Sequence, residues 1–207
     1  MAQGWGAALD GARGALLELL RTGMVPIVNG WQLPFHAFDY NTDFFEVGAL
    51  DAPAYTSVPA ELKYVTRAAA AMGGLWGNHA YEAVYAPTYV DADGEQLDGG
   101  NAYTLTLNPT PPAGAFWSLT MYSVPEFFLV ANDAGRYSIG SNTPGIICGD
   151  DGSLTIHMSA AEPADPQARA NWLPAPDGPF RPMLRVYEPD ESIVDGRYEL
   201  PAVVRVR

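Results

Sequence analysis

Asn78, His79 and Glu82 form the most suggestive group of reactive side chains in the chain. Residues three apart share one face of a helical turn, so Glu82 there holds the imidazole of His79 in one tautomer and raises its basicity. A pair so arranged is a general base for proton abstraction. The structural alternative has Asn78 capping the turn while His79 and Glu82 tie it to the rest of the domain. A metal site needs a third ligand, which only His36 or His157 could bring, and neither stands at ligand spacing. No metal or cofactor is therefore expected. Asp91, Asp93, Glu95 and Asp98 lack the full spacing of a calcium loop and are read as solvated turn acids. With no Gly-rich phosphate loop, no Gly-x-Ser-x-Gly elbow and no Cys/His signature, a serine hydrolase is not expected.

Residues that could bind a substrate come from strand-like stretches. Residues 115–122 are rich in aromatics and contain no glycine, proline or charge. Alternation places Ala115, Trp117, Leu119 and Met121 on one face, a core face. It places Phe116, Ser118, Thr120 and Tyr122 on the other, where aromatic surface mixed with hydroxyls fits a small-molecule pocket or an internally satisfied layer. Arg185 and Tyr187 share a face with Met183, opposite Leu184 and Val186, and an arginine among aromatics recognises a carboxylate or carbonyl. Its structural alternative is an internal carboxylate pair that holds strands in register. Arg136 and Tyr137 are read in the same two ways. Residues 171–180, with Trp172 and several prolines, form a rigid loop that either walls a pocket or plugs one end of the domain.

The elements that must position these groups follow from pattern. Leu9, Ala12, Leu16, Leu19 and Leu20 recur at helical spacing over residues 5–21, an amphipathic helix whose stripe must cover something. An aromatic-rich, proline-punctuated segment follows around residues 31–40, irregular but packed. A second helix is expected over residues 59–72, with Ser57 as N-cap, Pro59 in the first turn and Gly73-Gly74 as terminator. Residues 75–85 bridge to a β region. There, short runs at 103–107, 115–122, 127–131, 136–139, 154–158, 181–187 and 203–206 argue for an antiparallel sandwich or jelly roll. Residues 91–94 and 149–152 are its hairpin turns. The expected organisation is a helical and irregular N-terminal arm over residues 1–85 packed on a β-sandwich over residues 86–207.

The chain has 207 residues, 11 basic against 24 acidic, for a net charge of −13. That field repels phosphate backbones and anionic lipid, so neither nucleic acid nor a membrane is an expected partner. Cys148 is the single cysteine, which excludes an internal disulfide and a thiolate cluster. The start carries no charged and apolar regions of a signal peptide, and no apolar run reaches the roughly 20 residues of a membrane span. A cytoplasmic protein is expected.

Several ordered blocks carry a family resemblance: Gly77-Asn78-His79-Ala80, Glu82-Ala83-Val84-Tyr85, Asp98-Gly99, the strand from Phe116 to Tyr122, Arg136-Tyr137-Ser138-Ile139-Gly140, Asp151-Gly152-Ser153-Leu154-Thr155-Ile156, Asn171-Trp172-Leu173-Pro174, Gly178-Pro179-Phe180, Leu184-Arg185-Val186-Tyr187 and Asp195-Gly196. Together they resemble the bacterial family known as domain of unknown function 1214, from about Tyr64 onward. The resemblance implies a jelly-roll-like β-sandwich, usually the C-terminal half of a two-domain protein whose N-terminal half is missing here. It implies no catalytic residue set.

The function expected from these residues is a cofactor-independent enzyme. It would act on a small, largely apolar metabolite by acid-base chemistry such as isomerisation, cyclisation, dehydration or hydrolysis. The alternatives are a carbohydrate- or small-ligand-binding sandwich and a structural assembly domain, since fold does not choose among them. A flat exposed row of Trp31, Trp76 and Trp172 would favour sugar binding, and a closed pocket would favour the enzyme. The leucine stripe predicts a homodimer.

Overall fold

The computed structural model describes residues 2–22, 25–35, 60–75 and 77–206. His36, Ser57, Pro59 and Trp76 lie outside the described residues. The chain opens with helix α1 (Ala2–Thr22), the short hairpin of β1 (Ile27–Val28) and β2 (Trp31–Gln32), and helix α2 (Ala60–Gly74). There follow β3 (Ala83–Pro87), β4 (Tyr103–Leu107), β5 (Ala113–Ser123), β6 (Ser138–Gly140) and β7 (Leu154–Ser159). The last elements are helix α3 (Pro166–Ala170), β8 (Trp172–Pro174), β9 (Phe180–Pro189), helix α4 (Glu191–Val194) and β10 (Val204–Arg205).

Two four-stranded sheets carry the fold, ordered β3-β9-β5-β6 and β10-β4-β7-β8. Period-2 burial in each turns one face inward: Trp117, Leu119, Met121, Val84, Ala86, Leu184 and Val186 from the first sheet meet Leu105, Leu107, Leu154, Ile156, Met158 and Leu173 from the second in one core. The protein is thus mainly β, a sandwich-like arrangement of largely antiparallel sheets with an N-terminal helix. One pair, β7 with β8, is parallel.

Where the sequence expectation and the chain differ, the backbone supplies the reason. Ala115 is exposed instead of core, because the β5/β9 register shifts between Ala113 and Phe116 and moves it off the alternation. Residues 127–131 form no strand, only an isolated bridge between Tyr122 and Leu129; Phe127 sits at φ 58°, a left-handed conformation that breaks extended pairing. The rigid segment after Asn171 contains the edge strand β8, where prolines are tolerated because one side of the strand needs no partner. The bridge over residues 75–85 takes in Ala83, Val84 and Tyr85 of β3, so the handover from arm to sandwich falls within that strand. Asp91 is buried, not a solvated turn acid: its carboxylate accepts the backbone N–H groups of Asp93 and Glu95.

Three polar contacts fasten the helical arm. The Gln32 side chain donates to the Leu20 and Arg21 carbonyls at 2.7 and 2.9 Å, satisfying orphan groups at the end of α1. Leu20 then presses on α2 at Gly73, where an added Cβ would stand 2.8 Å from Leu20 Cδ2. Gly73 in turn offers its carbonyl to Arg181 of β9 at 2.5 Å.

Candidate functional site

The outer face of the β3-β9-β5-β6 sheet gathers most of the residues singled out from the sequence. Register aligns Tyr85 of β3, Arg185 of β9 and Ser118 of β5 across the sheet in one row. The next row places Tyr187 opposite Phe116, their rings stacked at 4.4 Å and 25°. The row on the other side pairs Met183 with Thr120, and beyond it Arg181 stands opposite Tyr122. A polar row with one cation at its centre is therefore bordered by a stacked aromatic pair, and Phe116 stays 38% exposed.

Hydrogen bonding orients this array. An ionised Glu82 only accepts, so the Asn78 amide turns its Nδ2 toward Glu82 Oε2 (3.2 Å) and its Oδ1 toward Tyr85 Oη (2.5 Å). Tyr85 must then be the donor to Asn78, which leaves the phenol's lone pairs turned elsewhere. Burial pushes the Tyr85 phenol above its ordinary value, with Tyr187 adding to the rise and the charge of Arg185 opposing it. It is a neutral phenol at physiological pH. His79 lies in the turn that opens β3: its carbonyl accepts from Glu82 and Ala83, and its ring packs 4.2 Å from that of Tyr81.

Arg185 gives Nη2 to the Tyr122 hydroxyl at 2.9 Å. The neighbouring Arg181, not anticipated from the sequence, is only 2% exposed. It donates to Tyr89 Oη at 2.8 Å and to the Gly73 carbonyl, and its guanidinium lies 4.1 Å from the Phe127 ring centroid. Its Nε is buried and finds no hydrogen-bond partner among the described residues. The left-handed backbone of Phe127, unusual for so bulky a residue, accompanies this contact. Among the described residues, no aspartate or glutamate comes within salt-bridge distance of Arg181 or Arg185. The internal carboxylate pairing considered for Arg185 does not occur among the described residues. Period-2 alternation from Arg185 would have found Arg181; Tyr85 was hidden because β3 lacked a strand pattern, and Tyr89 because it lies beyond the end of β3.

Three of the singled-out residues lie elsewhere. Arg136 donates Nη1 to the carbonyls of Arg169, Ala170 and Trp172, which clamps the end of α3 to β8. Tyr137 is exposed beside β6, its carbonyl accepting from Met121. Trp172 is buried, donates to the Ser159 carbonyl and walls a groove of about 670 Å³ shared with Val130 and Pro174. A separate apolar cavity of about 290 Å³ lies under the opposite face of the sheet, against Val84, Leu184, Ile193 and Tyr198. No group of three or more potential ligands that could hold a metal occurs among the described residues.

Residues 82–191, more than half the chain and including β3, β5 and β9, match the family described as Protein of unknown function (DUF1214). The chain belongs to this family. This DUF1214 chain is similar over 94% of its length to the crystal structure of the VPA0106 protein from Vibrio parahaemolyticus, at 26% identity and a TM-score of 0.63. It spans 42% of that longer chain. An uncharacterized protein from Burkholderia cenocepacia matches 62% of this chain and 30% of its own, at 18% identity and a TM-score of 0.36. No curated protein matches the DUF1214 chain. No helix among its described residues is long and apolar enough to cross a membrane.

Proposed function

We propose that the outer face of the β3-β9-β5-β6 sheet is the working surface of a cofactor-independent enzyme that moves a proton on a small, largely apolar metabolite. The observation that carries this reading is the hydrogen-bonded series from Glu82 through Asn78 to Tyr85, which ends in the same row as Arg185. In that arrangement Glu82 and His79 are the groups that accept a proton. Tyr85, its proton given to Asn78, turns its lone pairs to a hydroxyl or N–H of the substrate, and Arg185 stabilises negative charge as it develops there. Phe116, Tyr187 and Met183 supply apolar surface, while Ser118 and Thr120 orient polar substituents. Isomerisation, cyclisation, dehydration and hydrolysis all fall within this chemistry. The reading includes a cytoplasmic protein acting as a homodimer through α1.

A sugar-stacking module is less well supported. Trp31 and Trp172 are buried, with indole N–H groups given to the Pro201 and Ser159 carbonyls, so these two offer no flat exposed platform. A simple binding module would use the same Phe116 and Tyr187 pair without the Glu82 series.

Proton exchange tests this without an identified substrate. A panel of small apolar carbonyl compounds is incubated with protein in deuterium oxide, and NMR follows deuterium entry next to the carbonyl. Exchange by the wild type that falls at least about a hundredfold in Glu82→Gln and more modestly in Tyr85→Phe, with melting temperatures unchanged, is the expected result. His79→Gln should behave likewise. Exchange no faster than buffer across the panel, or loss that merely follows loss of folded protein, overturns the reading.

A further inference from the structure

The charge balance on this face is unusual for so acidic a chain. With a net charge of −13, carboxylates outnumber cations about twofold, yet Arg181 and Arg185 share one face of β9 with no carboxylate of the described residues in ion-pair reach. Arg181 has a structural reason to be there, since it caps the end of α2 and is enclosed by Tyr89, Tyr122 and Phe127. Arg185 has none of comparable strength. It is half-buried, spends one N–H on Tyr122, and keeps the rest of a planar fork suited to two parallel hydrogen bonds with a carboxylate.

We propose that the ligand of this face is a small aryl or alkyl monocarboxylate, its carboxylate held by Arg185 with the Tyr122 hydroxyl and its apolar body laid on the Phe116 and Tyr187 pair. The proposal rests on the reading of this face as a substrate site and names the substrate class. Tyr122 accepts from Arg185, so its own hydroxyl proton is directed away from the guanidinium and is available to a second carboxylate oxygen. Along β9 and β5 the stacked aromatic pair stands one same-face row, two residues or about 7 Å, from the row of Arg185. That separation suits a carboxylate joined to a ring or short chain through two or three carbons. A second anionic group is disfavoured, because the remaining arginine on this face is already enclosed and the surrounding chain is negative.

Calorimetric titration with 3-phenylpropionate, its neutral amide and inorganic phosphate tests this directly. Wild-type protein should bind 3-phenylpropionate with a Kd of about 1 mM or tighter and at least about tenfold better than the amide, with affinity falling as salt rises. Arg185→Gln should abolish the preference for the acid. Tyr122→Phe, which removes one oxygen only, should reduce it severalfold and serves if the arginine variant does not fold. Arg205→Gln, on the edge strand of the other sheet, should leave it intact. Equal binding of acid and amide, unchanged preference in Arg185→Gln or Tyr122→Phe, preferential binding of phosphate, or no binding at all overturns the proposal. Turnover is not part of the readout: a carboxylate that binds and is never turned over leaves this proposal standing and removes the enzymatic one. Proton exchange on neutral compounds, without preference for the acid, does the reverse.

Discussion

Tyr89→Phe removes a single oxygen, the acceptor of the Arg181 Nη1 hydrogen bond at 2.8 Å. Arg181 is 2% exposed, so water does not replace what is lost. A hydrogen bond to a charged group contributes about 1.5–3 kcal/mol, and an orphaned buried donor costs a similar amount. We therefore expect a destabilisation of about 2–3 kcal/mol, a fall of roughly 4–12 °C in Tm for a chain of this size. Arg181→Met removes the cation with both donors. Its own cost is smaller than the sum of the lost contacts because a desolvated charge disappears with it. In that background the Tyr89 hydroxyl has lost its donor, so removing it should cost close to nothing. The coupling energy from the four proteins, measured by urea unfolding with matched m-values, should be about 1.5–3 kcal/mol. Because Arg181 also holds the Gly73 carbonyl, hydrogen exchange at the end of α2 should quicken in both Arg181→Met proteins. Additivity within about 0.5 kcal/mol would refute the account of Arg181 as a buried clamp between arm and sheet.

The remaining predictions concern association and alkaline pH. Leu16, Leu19 and Leu20 of α1 stay half-buried although α1 packs on α2, so a second copy is expected to cover them; light scattering at tens of micromolar that reports only monomer refutes this. Burial raises the phenols of Tyr85 and Tyr89, and pushes that of Tyr198 up to about 12, above the value near 10 of an unfolded tyrosine. Folded protein then binds these protons more tightly than unfolded protein does, so their contribution is complete below about pH 10 and is lost as pH rises through the folded values. Ultraviolet titration should show late-ionising tyrosines together with a declining Tm above pH 10, and a flat Tm from pH 9 to 12 contradicts the assignment.

Much of this protein could be read locally. The alternation in residues 116–122 and 181–187 put Trp117, Leu119, Met121, Leu184 and Val186 into the core and grouped Phe116, Ser118, Thr120 and Tyr122 with one another, as Arg185 was grouped with Tyr187. A period of two depends only on backbone geometry, so it survives whatever the strand packs against. The two helices were legible for the same reason, through the leucines of α1 and the paired glycines that close α2. Tertiary structure alone decided that β9 lies between β3 and β5, and this brings Tyr85, Arg185 and Ser118 into one row. Strand order depends on which apolar faces bury together most completely over the whole chain, and no local pattern encodes it. The same global choice sent Arg136 and Trp172 to the other sheet's edge, where three carbonyls claim the guanidinium. It also enclosed Arg181 beneath a helix end and the ring of Phe127, an environment assembled from residues more than fifty positions apart in the chain.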